Sequence, residues 1–257
     1  MRILRRTIRL IGFSVVTAVF FSIRVAGKLV SFRNPARDRS NRLWVLRTWS
    51  RISLRLFGFS VAHVGTAPPT PALIVSNHLS YIDVMAISSL VDVVYVTKKD
   101  VSAWPIIGPI ASSFAPIYVD RESVKDVVRV NDRISESLAG GENVVLFAEG
   151  TSSGGDDVLP MKASLLQAAA RAQRPVYYAS VTYRTAAHEP HPRDAVCWWR
   201  DMELIPHLVE LLEIRAPSVL VTFGEQPIVA EQRKVLARKL HTAIQSIFTP
   251  VSQKGDV

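Results

Sequence analysis

Residues 74–87 read IVSNHLSYIDVMAI, and the reading of this stretch decides the fold. Ile74 and Val75 belong to a β-branched run of the kind that forms strands, and the run breaks at Asn77-His78. A second apolar segment starts at Ile82, so the pattern is strand, short turn, helix. Ser80-Tyr81-Ile82-Asp83 fits a capping box, with the serine as cap and the acid near the helix N-terminus. The same spacing lets Asp83, in the first helical turn, point back at the imidazole of His78. A carboxylate on one ring nitrogen fixes the tautomer and raises the basicity of the other. The two roles are compatible, and the choice between them rests on the rest of the chain.

Around this unit, strand-like runs alternate with helical patterns. Strands are expected at 72–76, 91–97, 117–119, 144–147, 176–182 and 219–223, and helices at 80–90, 104–112, 123–139, 161–171, 201–212 and 230–248. The alternation predicts an α/β domain over 66–257, a single mostly buried mixed sheet flanked by helices. Asn77-His78 and Glu149-Gly150-Thr151 each follow a strand, where open α/β sheets bind their ligands.

Residues 1–65 differ in character. They hold thirteen of the Lys and Arg residues and a single acid, Asp38, whereas the remainder is nearly balanced. The uncharged run from Leu10 to Ile23 is helical in pattern and would reach about 21 Å, short of a ~30 Å hydrocarbon core. An uncleaved membrane anchor is expected; a signal peptide is the competing reading, although Arg24 stands where a cleavage site would lie. In RLWVLRTWSRISLRLFGF (42–59), Arg47, Arg51 and Arg55 form one helical stripe, with Val45, Trp49, Ile52 and Leu56 opposite. Such a helix either lies in the headgroup region of an anionic membrane or packs its apolar face on the domain and leaves its arginines solvated. The first orientation gives an N-terminal membrane-associated helical hairpin, and GTAPPTPA (65–72) is the linker out of it.

Composition narrows the chemistry. With one cysteine, Cys197, no disulfide can form within the chain, and its place beside Trp198-Trp199 suits packing. No G-x-S-x-G elbow, P-loop or dinucleotide glycine fingerprint occurs, which disfavours hydrolase, NTPase and dehydrogenase readings. His188, His191 and Asp194 lie in the Pro-rich stretch TAAHEPHPRD, read as an irregular surface loop and not as metal ligands. Two further stretches carry polar groups near strand ends. VTKKD (96–100) and the segment after it supply Lys98 and Arg121, and an arginine can hold a phosphate bidentately. LFAEGTSSGGDDVLPMKASL (146–165) supplies backbone N–H groups and hydroxyls able to bind an anion. Exposed turn charges and a plain loop are the bland alternatives.

Taken in order, NHLSYID, APIYVDR and FAEGTSS resemble three motif blocks of the glycerolipid (lysophospholipid) acyltransferases, over about residues 70–225, with RPVYYASV in the place of a fourth. The resemblance implies His78 as general base and Asp83 as its orienting partner. It implies Asn77, Lys98, Arg121, Glu149, Gly150, Thr151, Ser152 and Lys162 as residues of substrate binding. It also implies a fatty acyl transfer from acyl-CoA or acyl carrier protein to a lysolipid hydroxyl, with no metal or other cofactor and no nucleic acid. The expected product is phosphatidic acid, made from 1-acyl-glycerol-3-phosphate at the cytoplasmic face of a bacterial inner membrane. Two departures bear on the acceptor: Ala148 replaces a proline, and Ser152 stands where many members carry a phosphate-holding arginine. EGTSS, VLPMKASL and WWRDMELIPHL are similar to a subset that includes lyso-ornithine lipid acyltransferases, so that lipid is the alternative acceptor. A non-catalytic membrane-binding protein is the alternative of a different class.

Overall fold

The computed structural model describes residues 2–120 and 123–254. Two helices come first, α1 (Arg2–Val30) and α2 (Pro35–Phe57), followed by strand β1 (Ser60–Val64). The 74–87 stretch folds as strand, turn and helix, β2 (Leu73–Ser76) and α3 (Ile82–Leu90). The chain continues through β3 (Val93–Lys98), α4 (Ile107–Ser113), β4 (Ile117–Val119), α5 (Val124–Ala139) and β5 (Asn143–Phe147). It then forms α6 (Gln167–Arg171), β6 (Val176–Ala186), α7 (Pro192–Ala195), α8 (Leu204–Leu211), β7 (Ser218–Phe223), α9 (Arg233–Ile247) and β8 (Ser252–Lys254). All six expected strands are present. Sequence reading missed β1 and β8, which have no alternation to betray them; β1 is exposed throughout and exists because it pairs with β7. Within the stretch read as an irregular loop, His191 caps the short α7 by accepting the Arg193 N–H.

The sheet runs β1-β7-β6-β2-β5-β3-β4, with β8 beside β6. From β6 to β4 the neighbours are parallel, and β7 runs antiparallel to β6, so the sheet is mixed. β2 and β5 are buried along their whole length, as their LIVS and NVVLF sequences require of strands covered on both faces. The chain leaving β2 passes β5 to reach β3, whereas the chain leaving β5 passes β2 to reach β6. Adjacent strands thus send their connections in opposite directions, and a crevice opens between their carboxyl ends. His78 follows one of these strands and Glu149 the other.

α2 takes the second of its two orientations. Val45, Leu46, Leu54 and Phe57 are buried in the core, as are Ser50 and Ser53, and the helix packs along α3. Its arginines are not simply solvated. Arg47 donates to the Leu90 carbonyl at 2.6 Å and Arg51 to the Ser89 carbonyl at 2.8 Å, so two of the stripe's cations satisfy the last carbonyls of α3. Trp49 turns toward α1, where its indole N–H donates to Thr17 and its ring meets Phe13.

α1 is built inside out relative to a soluble surface helix. Its arginines face the protein: Arg9 donates to the Leu212 and Ile214 carbonyls, Arg6 pairs with Glu213, and buried Arg24 is held by Asp38 and the Ser113 carbonyl. Its outer face carries Leu4, Ile8, Ile11, Val15, Val19 and Ile23, all exposed and spaced at helical intervals. The helix is long and apolar enough to cross a bilayer, and only 11% of its most apolar window is buried. An apolar stripe of this extent suits association with a membrane.

Candidate active site

The turn after β2 is shaped by Asp83. Its Oδ2 accepts the backbone N–H groups of Leu79 at 2.7 Å and Ser80 at 3.0 Å, which folds the turn back over the start of α3. The same oxygen lies 2.7 Å from Nδ1 of His78, and Oδ1 accepts the hydroxyl of Tyr183. Asp83 is fully buried and has a donor on every side, the condition for keeping a charge out of water. The Ser80 side chain plays only a weak part, its oxygen 3.4 Å from the Ile82 N–H. The aspartate therefore serves both the turn and the imidazole, whereas the serine is not the cap: the N-cap position falls on Tyr81, with no side-chain cap hydrogen bond.

His78 is aimed outward by this arrangement. Its ring stacks on Phe147 at the end of β5, centroids 4.2 Å apart, and Phe147 in turn stacks near Tyr95. The side chain is 22% exposed, and Nε2 has no partner among the described residues. With Nδ1–H donated to Asp83, Nε2 carries the lone pair. An imidazole so oriented can remove a proton from an alcohol and return it to a leaving group.

Asn77, expected among the substrate contacts, is held by the backbone of β6. Its amide nitrogen donates to the Val181 carbonyl at 2.9 Å and its oxygen accepts the Val181 N–H at 2.7 Å. β2 stops at Ser76, opposite Ala179, and the Asn77 side chain extends its pairing to β6 by one more step. The amide is buried and engaged, and it positions the turn.

The β5 turn forms the other wall. Glu149 is buried, its two oxygens accepting the N–H groups of His78 at 3.3 Å and Leu159 at 3.2 Å. Burial pushes its carboxyl up to about 8, outweighing those two bonds, which pull the other way; nearby Asp83 adds to the rise. The folded chain thus holds a proton here that the unfolded chain releases above its ordinary carboxyl value of 4.5. The stabilisation is complete below that value and is lost as pH rises toward 8. Glu149→Gln is expected to flatten the fall in urea midpoint between about pH 5 and pH 8.5, as followed by circular dichroism; an unaltered slope would count against a neutral Glu149.

Gly150 adopts φ +78, and a Cβ there would meet the Lys162 chain at 2.8–2.9 Å, so the glycine both permits the turn and admits the lysine across it. Thr151 is exposed on the same turn. Ser152 is engaged elsewhere: its hydroxyl donates to the Trp198 carbonyl, while the Trp198 N–H donates to the Leu79 carbonyl at 2.8 Å. The WWRD segment thereby ties the β5 turn to the β2 turn. Trp198 also stands edge-on to Tyr81 and Trp104. Lys98 does not join this group. It sits at the end of β3, two strands from β2, exposed and 2.5 Å from Asp100. Arg121 lies outside the described residues. Cys197 is buried, and burial pushes its thiol far up, in keeping with packing.

Residues 61–182 match the family model described as Acyltransferase. The chain is similar to the lyso-ornithine lipid O-acyltransferase of Rhizobium meliloti (strain 1021), 38% identical over 199 residues that cover 73% of this chain and 68% of that protein. It is 36% identical to the enzyme of the same name from Brucella abortus (strain 2308), covering 77% of this chain and 79% of that one. A 1-acyl-sn-glycerol-3-phosphate acyltransferase of Neisseria meningitidis serogroup B is 28% identical over 74% of each chain. The fold is similar to the crystal structure of the 1-acyl-sn-glycerophosphate acyltransferase PlsC from Thermotoga maritima, with a TM-score of 0.63 over 96% of this chain and 98% of that one, at 17% identity. The family match encloses His78, Asp83 and Glu149, and two relatives share more than a third of their aligned residues over most of their length; the chain belongs to the Acyltransferase family.

Proposed function

We propose that the protein is a membrane-associated O-acyltransferase that moves a fatty acyl chain from a thioester donor, acyl-CoA or acyl carrier protein, to the hydroxyl of lyso-ornithine lipid. The observation that carries the reaction is the outward-facing Nε2 of His78, backed by the buried carboxylate of Asp83. His78 removes the proton from the lysolipid hydroxyl, and the oxygen attacks the thioester carbonyl. The C–O bond forms, the tetrahedral adduct collapses with loss of the C–S bond, and the imidazolium returns its proton to the departing thiolate. Asp83 stabilises the imidazolium in between.

The choice of acceptor rests on Ser152. Where other members hold phosphate with an arginine, this side chain bonds the Trp198 carbonyl instead. Among the described residues, Lys162 brings an ammonium over the β5 turn, a partner for the carboxylate of an amino-acid headgroup. The names of the two relatives that match above 35% identity support the same acceptor, so this reading displaces phosphatidic acid synthesis from first place. Phosphatidic acid synthesis remains the second reading, supported by the name of the Neisseria relative.

The site is assigned to the cytoplasmic face of a bacterial inner membrane, where thioester donors are made. Because Arg9 and Arg24 clamp α1 to the same body at two points, the helix is read as lying along the lipid side of the domain and not as leaving it to span the bilayer. Purified protein in mixed micelles, given a radiolabelled acyl thioester and either lyso-ornithine lipid or 1-acyl-glycerol-3-phosphate, tests the acceptor. Transfer to the ornithine lysolipid at least tenfold faster is expected. Transfer only to the phosphate lysolipid would restore the second reading, and transfer to neither would point to a non-catalytic membrane-binding protein.

A further inference from the structure

We infer that Tyr183 is a positioning residue of the catalytic machinery: its hydroxyl, donated to Oδ1 of Asp83, holds the carboxylate in the orientation that aims His78. This rests on the acyl-transfer reading above.

The geometry has three parts. First, Tyr183 is fully buried on β6, a hundred residues from Asp83 in sequence, and its one polar atom is directed at that carboxylate. Second, the two oxygens of Asp83 have divided duties. Oδ2 serves His78, Leu79 and Ser80, so Oδ1 would be a buried charged oxygen with no donor among the described residues if the phenol were absent. Third, β6 runs beyond the end of β2, and the stretch that overhangs supplies both the Val181 backbone that grips Asn77 and, two residues on along the same face, the phenol that grips Asp83. Phe59 stands edge-on to the Tyr183 ring and fixes its tilt. Burial, with the charge of Asp83 behind it, pushes the phenol's ionisation well up, so Tyr183 stays a donor throughout the working range.

The phenol acts on charge as well as on place. Tyr183→Phe keeps the ring and its packing but takes a donor from the carboxylate. The carboxylate, left with a bare oxygen in the core, is then free to turn away from the histidine. The other titratable groups around the pair are Glu149 from the β5 turn, Tyr95 from β3, and Cys197 and Tyr81 near Tyr183; the substitution leaves all of them in place.

In the micelle assay with lyso-ornithine lipid and 1-acyl-glycerol-3-phosphate as separate acceptors, Tyr183→Phe is expected to lower kcat about tenfold with KM within about twofold. The melting transition should fall, because the buried Oδ1 loses its donor, so kcat is read well below the transition of each variant. In an Asp83→Asn background the same substitution should have little further effect on kcat, because the charge it acts through is gone. An unchanged kcat would overturn the inference, as would an equal tenfold loss in the Asp83→Asn background, the mark of a merely structural tyrosine. His78→Ala, measured alongside, separates this inference from its premise. Loss of activity there with an unaltered Tyr183→Phe removes the inference alone, whereas full activity in both removes the catalytic reading as well.

Discussion

Replacing His78 with alanine is expected to lower turnover about a thousandfold, the scale on which a positioned general base contributes. Among the described residues, nothing else at the site offers an unengaged base in the same place. Asp83 faces inward with four donors, and Glu149 is buried beneath the turn with a backbone N–H on each oxygen. The fold should survive the change. The backbone of residue 78 keeps its bonds to Glu149 and from Ser153, and Asp83 retains three of its donors, so no buried charge is orphaned. What is lost is one ring stack on Phe147, worth about 1 kcal/mol, and the hydrogen bond from Nδ1 to Asp83, worth about as much. Steady-state kcat with a labelled acyl thioester, together with vesicle flotation and thermal melting, separates the two effects. Wild-type turnover in a folded, membrane-bound His78→Ala protein would refute the mechanism.

Asp83→Asn is expected to cost about a hundredfold in turnover, and the reason lies in which oxygen does what. The Oδ2 position faces three N–H donors, so an asparagine must put its carbonyl oxygen there, where it still accepts Nδ1–H of His78 and preserves the tautomer. Its amide group then faces Tyr183, whose hydroxyl can turn and accept. Orientation survives and the negative charge does not, so the loss should be smaller than the ~10⁴-fold seen in a serine-protease triad, where the same substitution imposes the wrong tautomer. Asp83→Ala removes both and strands the Leu79 and Ser80 N–H groups, so it should be more damaging and also less stable. If Asn and Ala substitutions were equally mild, Asp83 would be a helix cap and nothing more.

The histidine, its aspartate and the glutamate of the β5 turn were legible because each is defined by local spacing at the end of a strand. The expected strands put both turns at strand ends, but the strand order that makes them neighbours was not legible in the sequence. Asn77 and Ser152 were readable as motif members, but their partners are the backbone of Val181 and of Trp198, far away in sequence, and no spacing rule names them. Tyr183 escaped for the same reason. The arginine stripe of α2 shows a different limit. Helical periodicity separates two faces but does not say which one meets lipid, and here the carbonyls of Ser89 and Leu90 at the end of α3 draw the cations inward. In α1 the assignment inverts again, with guanidinium groups toward the protein and aliphatic side chains outward.

That inverted helix has a kinetic consequence. An enzyme seated in the leaflet by its aliphatic side meets its acceptor by diffusion in two dimensions, so the quantity that governs encounter is the fraction of the surface that is lysolipid, not its amount per litre. Diluting the acceptor with inert detergent at constant bulk concentration should slow catalysis, while adding more of the same mixed surface should leave the rate per enzyme unchanged.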